Sequence, residues 1–321
     1  MGRVEVRAFE DADIADAGRL LARRHQRHRA AVPLLSTRYE DPDAATEEVA
    51  KAWAAEDSSG AVALAAGSTV GYLIGSPKGD IWGPNVWIES AGQAVEEAEV
   101  VRDLYADAAR RWYDEGRVAH YSLVPAQDEA LLDAWYRLGF GQQQAHGIQP
   151  VPSAPVAPPD RVLVRPARRS DIPMLARLDV ALPDHQGQSP VFSAGSTSTI
   201  EEAEAEWRDD FDNPDFTTFV AEVDGRVVGS TIASAIEKSA SYVGPMRPHR
   251  AAFLGFAAVL PEARGLGAGR ALGEQVLEWA RQRGFASVVT DWRTTNLHSS
   301  RTWTRLGFRP VFLRLHRLIG H

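Results

Sequence analysis

The sequence predicts two consecutive α/β domains, each built on a mixed β-sheet with helices on its faces. Its length of 321 residues is about twice that of a typical domain. A proline-rich segment near the middle favours an extended linker over helix or sheet. We therefore expect one domain over residues 1–149, a linker over 150–160 and a second domain over 161–321.

Matching patterns recur on both sides of this linker in the same order. The repeated pairs are Val4–Arg7 with Val162–Arg165, Val70-Gly71 with Val228-Gly229, and Trp135–Phe140 with Trp303–Phe308. The first two pairs are 158 positions apart and the third is 168 apart, so the second copy has ten extra residues in its middle. Several matches in one order indicate that a domain was duplicated.

The second copy shows the predicted elements most clearly. Val162–Arg165 reads as a β-branched strand, and a helix is expected to begin near Asp171. Thr199 and Glu202 form a capping-box pattern at the start of a second helix, and Asp224-Gly225 predicts a hairpin turn. After the hairpin we expect a strand at 252–259, a helix at 267–283, a strand at 286–291, a helix at 297–306 and strand structure at 308–318. Strands that are first grouped and then alternate with helices indicate a mixed sheet.

Composition argues against several functional classes. The chain has no cysteine, which excludes a thiol nucleophile, a thiolate zinc site and disulfides. A net charge of −8 argues against a nucleic-acid binder. The sequence has no long apolar run, and its amino terminus lacks the apolar core of a signal peptide. We therefore expect a cytoplasmic protein without a membrane segment.

The segment 256–270 carries the most informative pattern. An apolar strand ends at Val259, a turn follows, and an amphipathic helix begins near Gly267. Glycines at 265, 267 and 269 let a ligand approach the backbone, and free N–H groups at a helix start favour a phosphate. Arg264 and Arg270 add positive charge. A glycine-rich connection without a ligand remains an open alternative at this stage.

The pattern Arg264-x-x-Gly267-x-Gly269, preceded by Val259-x-Pro261, resembles the acyl-CoA signature of the GNAT acyltransferase superfamily. Asn296 and the later Leu306-Gly307-Phe308 also fit that family, and the resemblance covers residues 162 to about 318. It implies two tandem GNAT folds, with acyl-CoA, most often acetyl-CoA, as a cosubstrate of the second and no metal. It also implies an N-acetyltransferase that transfers the acyl group directly to an amine.

The resemblance implies roles for individual residues. The pyrophosphate of CoA is expected on the loop amides, and the pantetheine arm is expected beside the preceding strand, where the sheet splays. The expected cofactor-binding residues are Ala257, Ala258, Val259, Arg264, Gly265, Leu266, Gly267, Ala268, Gly269, Arg270, Asn296, Ser299 and Trp303. The amide of Val259 is expected to polarise the thioester carbonyl.

One position departs from the family pattern. A tyrosine usually follows the asparagine by seven residues and protonates the leaving thiolate, and here Trp303 stands in its place. An indole N–H supplies no proton near neutral pH. The alternatives for the acid are Tyr242, His298, Ser299, Ser300 and a water molecule. The candidate bases for the amine are Glu237, His249 and Asp291, among which the sequence does not choose.

The first copy lacks the glycine loop. At the 168 spacing, Arg264–Arg270 align with Glu96–Arg102, where three glutamates replace the glycine pattern. Each carboxylate would repel a phosphate by about 1 kcal/mol or more. Asp128 stands where the second copy has Asn296. We expect this copy to bind no CoA and to be a structural partner, in a chain that is a monomer or a homodimer.

Two further segments carry expectations. The basic run Arg23–Arg29 is expected to be a solvated helix face, because its His25 and His28 lack an evident third metal ligand. The Gly/Ser/Pro-rich segment Pro183–Thr199 is expected to form a loop over the acceptor site. The expected acceptor is a small-molecule amine. The alternatives are a protein or peptide N-acetyltransferase, and a non-catalytic acyl-CoA-binding module, which Trp303 favours.

Overall fold

The computed structural model describes residues 4–79, 82–156, 161–193 and 198–320. Residues 157–160 of the expected linker and 194–197 of the expected loop lie outside the described residues. In the described part the mixed α/β class is confirmed, because helices alternate with strands that pair both antiparallel and parallel.

Two units interleave along the sequence. Unit 1 comprises Met1–Ala145, Val243–Pro248 and Val311–His321, and unit 2 comprises His146–Tyr242 and His249–Pro310. The units therefore follow the two repeats except at short segments. In particular, the last strand of each repeat ends in the unit of the other repeat.

Unit 1 contains most of the first repeat. Its elements are β1 (Val4–Ala8), α1 (Ile14–Ala31), α2 (Pro42–Trp53), β2 (Ser59–Ala65), β3 (Ser68–Gly75), β4 (Asn85–Ile88), β5 (Gln93–Val95), α3 (Val100–Asp114), β6 (Ala119–Pro125), α4 (Glu129–Arg137) and the start of β7 (Gly141–Pro150). Strands β1, β2, β3 and β5 form an antiparallel sheet in that order. Side chains of α1 and α2, including Leu21 and Val49, pack with Tyr72 of this sheet in an apolar core.

The second repeat has the same order of elements, except that a single strand stands where the first repeat has β4 and β5. Its elements are β8 (Leu163–Pro166), α5 (Ile172–Gly187), α6 (Ile200–Asp210), β9 (Phe216–Val223), β10 (Arg226–Ala235), β11 (Ala251–Val259), α7 (Ala268–Gln282), β12 (Ser287–Arg293), α8 (Leu297–Leu306) and β13 (Arg309–Leu318). The predicted elements are confirmed, with small shifts at their ends. One expectation is wrong in part: α5 continues through Pro183 to Gly187, so the start of the expected Pro183–Thr199 loop is helical.

The sheet of unit 2 runs in the order β8, β9, β10, β11 and β12, with residues 146–150 of β7 beside β12. The neighbours from β8 to β11 are antiparallel, and β11 and β12 are parallel. The ladder beside β12 extends into the expected linker, because the Val151 N–H donates to the Ala286 carbonyl at 3.0 Å. In unit 1, β4 and β6 are parallel, and Phe312–Leu318 of β13 pairs antiparallel with β6.

An ion pair at the start of each repeat supports the duplication at atomic detail. Arg7 donates to both carboxylate oxygens of Asp13 at 2.7 and 2.6 Å. Arg165 donates to both oxygens of Asp171 at 2.7 and 3.0 Å, at the same 158-residue spacing. Asp171 is 8% exposed and Arg165 is 17% exposed, so solvent screens the second pair little. The hydrogen bonds from Arg165 hold the pKa of Asp171 below its usual value.

We expect Asp171→Asn to lower the free energy of unfolding by about 2–3 kcal/mol at neutral pH, because Arg165 loses a buried, charged partner. Because the folded-state pKa of Asp171 is lowered, its contribution is present above the unfolded-state pKa and is lost as the pH falls through the folded-state value. Urea unfolding of both proteins at a series of pH values measures this. The exposed Asp209→Asn is the control, and a loss that persists unchanged at low pH would contradict the assignment.

Candidate functional site

Strand β11 runs beside β12 for only part of its length. Ala251–Phe253 pair with Ser287–Val289, and among the described residues no ladder partner on that side follows Phe253. Beyond this point Thr290 bridges the strands by its side chain, whose Oγ1 donates to the Leu254 carbonyl at 2.9 Å. On its other edge β11 remains paired with β10 as far as Val259. The end of β11 therefore forms one wall of a cleft.

The ladder with β10 determines which backbone groups of β11 face this cleft. The Leu260 N–H donates to the Val228 carbonyl of unit 2 at 2.9 Å, and backbone groups alternate in direction along an antiparallel ladder. The N–H groups of Ala257 and Val259 consequently point away from β10, towards the cleft. Ala258 has the opposite orientation, with its backbone groups directed at β10. The open edge is suited to an extended ligand that pairs as an added strand.

Helix α5 covers one side of the same wall. Leu178 packs with Ala258 and Leu260 in an apolar cluster that Leu182 joins. Leu178, Leu182 and His185 are spaced four and three residues apart, so they lie on one helix face. Half-buried His185 therefore extends the cleft-lining face of α5 beyond its apolar part.

The connection from β11 to α7 presents open backbone amides. Gly265 and Gly267 have φ values of 83° and 91°, a conformation that strongly favours glycine, and neither has a neighbour within 4 Å of a Cβ position. Helix α7 has no side-chain cap. The N–H groups of residue 265 and of residues 267–270 donate no hydrogen bond to any part of the chain that the structure describes. Together with the helix dipole, this row of donors is suited to an anion such as a diphosphate.

Two arginines and an exposed leucine complete this loop. Arg264 is half-buried, whereas exposed Arg270 donates to Glu274 at 2.7 Å. Leu266 is 52% exposed. The arginine charges lie on either side of the open amides in the sequence, so the loop combines positive charge with unpaired donors.

In unit 1 the corresponding connection is shorter. Val95 pairs with Gly71 as Val259 pairs with Gly229, so the two valines are structural counterparts. Four residues separate Val95 from α3, and eight separate Val259 from α7. The alignment at the 168 spacing therefore holds for the helices but not for the loop, which is shortened as well as acidic.

The start of α3 also has no open row of amides. The N–H groups of residues 100, 101 and 102 donate to the carbonyls of residues 97, 98 and 99 at 3.1, 3.2 and 3.1 Å. These are the counterparts of the first three amides of α7. Because they are already paired, they are not available to a phosphate.

Side chains fill the unit 1 counterpart of the cleft. Gln93 stands where unit 2 has Ala257, and its Nε2 donates to Ser122 Oγ at 2.9 Å and to the Leu123 carbonyl at 2.8 Å. Its Oε1 accepts from Trp135 Nε1 at 3.0 Å. Arg24 donates to the carbonyls of Gln93 and Ser90.

This arrangement corrects the expectation for the basic run of α1. Arg24, His25 and His28 are buried, so the expected solvated face is wrong for these three residues. His28 hydrogen bonds to Gln127 at 3.0 Å, and burial lowers its pKa to about 4. The inner face of the basic run therefore belongs to the interior of unit 1.

Asn296 caps α8 at the cleft of unit 2. Its Oδ1 accepts from the N–H groups of His298 and Ser299 at 3.2 and 3.4 Å. Asp128 caps α4 of unit 1 in a similar way, accepting from the Leu131 N–H at 3.1 Å. Asp128 is thus the counterpart of Asn296, as expected.

A cluster of polar side chains surrounds Asn296. Its side chain hydrogen bonds to His185 of α5, whose ring centroid lies 6.0 Å from that of His298. Burial, followed by the nearby charge of Arg264, lowers the pKa of His185. The sequence did not single out His185, because it fell within a segment expected to be a loop. Its i, i+4, i+7 spacing from Leu178 was the available signal.

The tryptophan at the position of the family's tyrosine is buried. Trp303 is 6% exposed and its ring centroid lies 5.9 Å from that of Phe308. Its ring also closely approaches Gly273 of α7. In unit 1, Trp135 packs against Phe140 at 4.7 Å. Both tryptophans therefore pack in the core beneath their helices.

The hydroxyl candidates for the acid all have backbone partners. Tyr242 is fully buried, and its hydroxyl donates to the carbonyls of Gly147 at 3.2 Å and Thr290 at 2.6 Å. Burial, reinforced by Asp291, raises its pKa well above the usual value, which does not suit a proton donor. Ser299 donates to the Asn296 carbonyl at 3.1 Å and Ser300 to the Thr294 carbonyl at 3.2 Å.

The candidate bases are in different surroundings. Glu237 and His249 are exposed, whereas Asp291 is half-buried on β12. His298 is exposed in the first turn of α8. Of the side chains proposed from the sequence, the structure thus brings His298 and Asn296 together beside the loop.

Within the described residues, no group of three or more His, Cys, Asp or Glu side chains could hold a metal ion. None of their helices combines the length and apolar character required to cross a bilayer.

Comparison with known proteins identifies the fold and gives a family match over part of the chain. A model of the acetyltransferase (GNAT) family matches residues 183–308. A GCN5-related N-acetyltransferase from Sphaerobacter thermophilus is 16% identical with a TM-score of 0.59, covering 98% of this chain and 95% of that chain. A tandem GNAT protein from the clavulanic acid biosynthesis pathway is 16% identical with a TM-score of 0.51, covering 99% of both chains. Curated proteins gave no match.

At such identities the solved structures show the fold, and they confirm the two tandem GNAT domains expected from the sequence. The family match includes the open amide loop and the cap of α8. Residues 183–308 of the second repeat thus match the acetyltransferase (GNAT) family, in a chain with the fold of tandem GNAT proteins.

Proposed function

We propose that unit 2 is an N-acetyltransferase that uses acetyl-CoA and transfers its acyl group directly to the amine of a small molecule. The observation that carries this proposal is the row of unpaired N–H groups at residue 265 and residues 267–270, next to the open edge of β11. These donors fit a diphosphate, and the absence of Cβ atoms at three of the positions leaves room for it.

The residues have the following proposed roles. The loop amides, with Arg264 and Arg270, would hold the pyrophosphate, and the backbone of Ala257 and Val259 would pair with the pantetheine arm. The Asn296 side chain would meet the same arm. We assign supporting roles to Ala258, Ser299 and Trp303, because the first packs under α5, the second bonds to the helix cap and the third is buried.

The chemistry follows from these positions. The cosubstrate supplies an acyl group activated as a thioester. The Val259 N–H, directed into the cleft, would donate to the carbonyl oxygen as negative charge develops there. The chain has no cysteine to form an acyl-thiol intermediate, and we propose direct transfer over transfer through another nucleophile.

The acceptor is proposed from charge. Net charge is −8, and exposed α6 is strongly acidic, which favours a cationic amine over nucleic acid. We further propose that unit 1 is a structural partner without CoA, and that the protein acts in the cytoplasm. The relative rates of CoA release with small amines and with peptides distinguish a small-molecule acceptor from a peptide acceptor.

A second candidate function is a non-catalytic acyl-CoA-binding module. It is favoured by the buried Trp303 and by the hydroxyls of Tyr242, Ser299 and Ser300, which already donate to the backbone. Under this alternative the protein would bind acetyl-CoA and release no CoA with any amine.

We expect acetyl-CoA to bind the protein and Gly267→Glu to abolish binding, because a carboxylate would enter the row of anion-binding amides. Isothermal titration calorimetry measures both. Gly225→Glu in the β9–β10 turn is a matched control, since Gly225 also has a positive φ, 73°, and no neighbour within 4 Å of a Cβ position. Equal loss of affinity in both variants would refute the location of the site.

We expect CoA to be released when acetyl-CoA is mixed with small primary amines, and to be released more slowly with peptides. A thiol-detection assay over a panel of both acceptors measures the rates. Tight binding without CoA release from any acceptor would support the binding module instead. Faster turnover with peptides would replace the small-molecule acceptor by a protein one.

We expect Tyr242→Phe to lower stability by about 1–2 kcal/mol, because its buried hydroxyl donates to two backbone carbonyls. We expect turnover to fall by less than about tenfold. Thermal unfolding and steady-state kinetics measure the two effects. Unchanged stability with turnover reduced about 100-fold would instead identify Tyr242 as a proton donor.

A further inference from the structure

His185 occupies a distinctive place at the cleft of unit 2. It follows Leu178 and Leu182 on the face of α5 that packs against the end of β11. Its ring hydrogen bonds to the Asn296 side chain and lies 6.0 Å from the ring of His298. The imidazole is therefore held in position by α8 while it faces the cleft.

The other groups able to move a proton near α8 are committed elsewhere. The hydroxyls of Tyr242, Ser299 and Ser300 donate to backbone carbonyls. Trp303 is buried and has no proton to give near neutral pH. The imidazoles of His185 and His298 remain next to Asn296.

Of these two, His185 is the better placed. His298 is exposed, whereas His185 is half-buried and has a side-chain anchor. The groups that face His185 are Arg264 from the loop, and His298 and Asn296 from α8. Burial, followed by the positive charge of Arg264, lowers the pKa of His185, which favours the neutral imidazole that can accept a proton.

We propose that His185 transfers the proton of the acceptor amine to the departing sulfur. This proposal rests on the proposed acetyltransferase function. As the C–N bond forms, the imidazole takes a proton from the amine nitrogen. As the C–S bond breaks, the imidazolium returns that proton to the thiolate, which yields amide and free thiol and restores the neutral ring.

The sign of the pH dependence follows from the position of His185. Burial and Arg264 lower its pKa, so the neutral ring is present above that value and is lost as the pH falls through it. The rate should therefore decrease on the acid side because His185 becomes protonated. Without His185, this part of the pH profile should disappear.

The test compares His185→Gln with Asp184→Asn, an exposed neighbour on the same helix turn. We expect His185→Gln to reduce kcat by about 100-fold or more, with partial rescue by added imidazole, and Asp184→Asn to leave kcat unchanged. Acetyl-CoA affinity by calorimetry should change by no more than a few fold. In NMR spectra of histidine-labelled protein, the signal absent from His185→Gln should titrate below the usual histidine range and shift on addition of acetyl-CoA.

The outcomes separate this proposal from the function on which it rests. If the wild-type protein neither binds acetyl-CoA nor releases CoA, the proposed function fails. If it does both and His185→Gln keeps most of its kcat, only the role of His185 fails. A uniform loss across pH with the acid limb intact, or a larger loss in His298→Gln, also overturns the assignment to His185.

Discussion

The separation of β11 from β12 is the constraint on which the rest of unit 2 depends. Backbone N–H groups require partners, and strands that diverge leave them without any from the sheet. On its opposite edge β11 is paired with β10 from Ala252 to Val259, with one register shift at Gly255, and this pairing holds the strand in place. The loop that follows continues the same row of donors into the first turn of α7. A strand edge and a helix start thus form one continuous surface of unpaired amides.

In unit 1, side chains and internal hydrogen bonds occupy the surface that corresponds to these unpaired amides. Gln93 replaces an alanine, and its amide bonds to β6 and to Trp135 across the space that the diverging strands leave. Arg24, at the repeat position of Leu182, donates to the carbonyls of Gln93 in β5 and of Ser90 just before β5. Polar side chains of unit 1 therefore satisfy backbone groups that unit 2 leaves for a ligand or water. The two repeats share core packing, as Trp135 and Trp303 illustrate, and differ in which polar groups are internally paired.

Local signals allowed much of this to be predicted from the sequence. The capping box at Thr199 forms with both of its hydrogen bonds, and Asp224-Gly225 forms the turn between β9 and β10. These features depend on a few adjacent residues, so a single sequence suffices. The family motif then located the amide loop without any knowledge of tertiary structure.

Features that depend on tertiary packing could not be predicted in the same way. Pro183 indicated a helix end, but packing of Leu178 and Leu182 on β11 keeps α5 helical to Gly187 and brings His185 to the cleft. The sequence did not show that one side of the basic run is buried, because buried and exposed residues are interspersed along it. The connection after β5 is four residues shorter than the connection after β11. The sequence alignment did not show this difference, because an alignment at fixed spacing contains no gaps.

The interleaved units have a consequence for how the chain can be divided. The proline-rich segment is the obvious place for a protease to cut or for an engineer to separate the halves. Yet residues 146–150 belong to unit 2, and residues 311–321 belong to unit 1. A cut in the proline-rich segment would therefore leave 146–150 in the amino-terminal fragment and 311–321 in the carboxy-terminal fragment. The carboxy-terminal fragment would lack both Gly147, whose carbonyl receives the Tyr242 hydroxyl, and Gln149, which lies against Gly307. A fragment that begins after the proline-rich segment therefore lacks a strand of unit 2, whereas a fragment that begins at residue 146 keeps it.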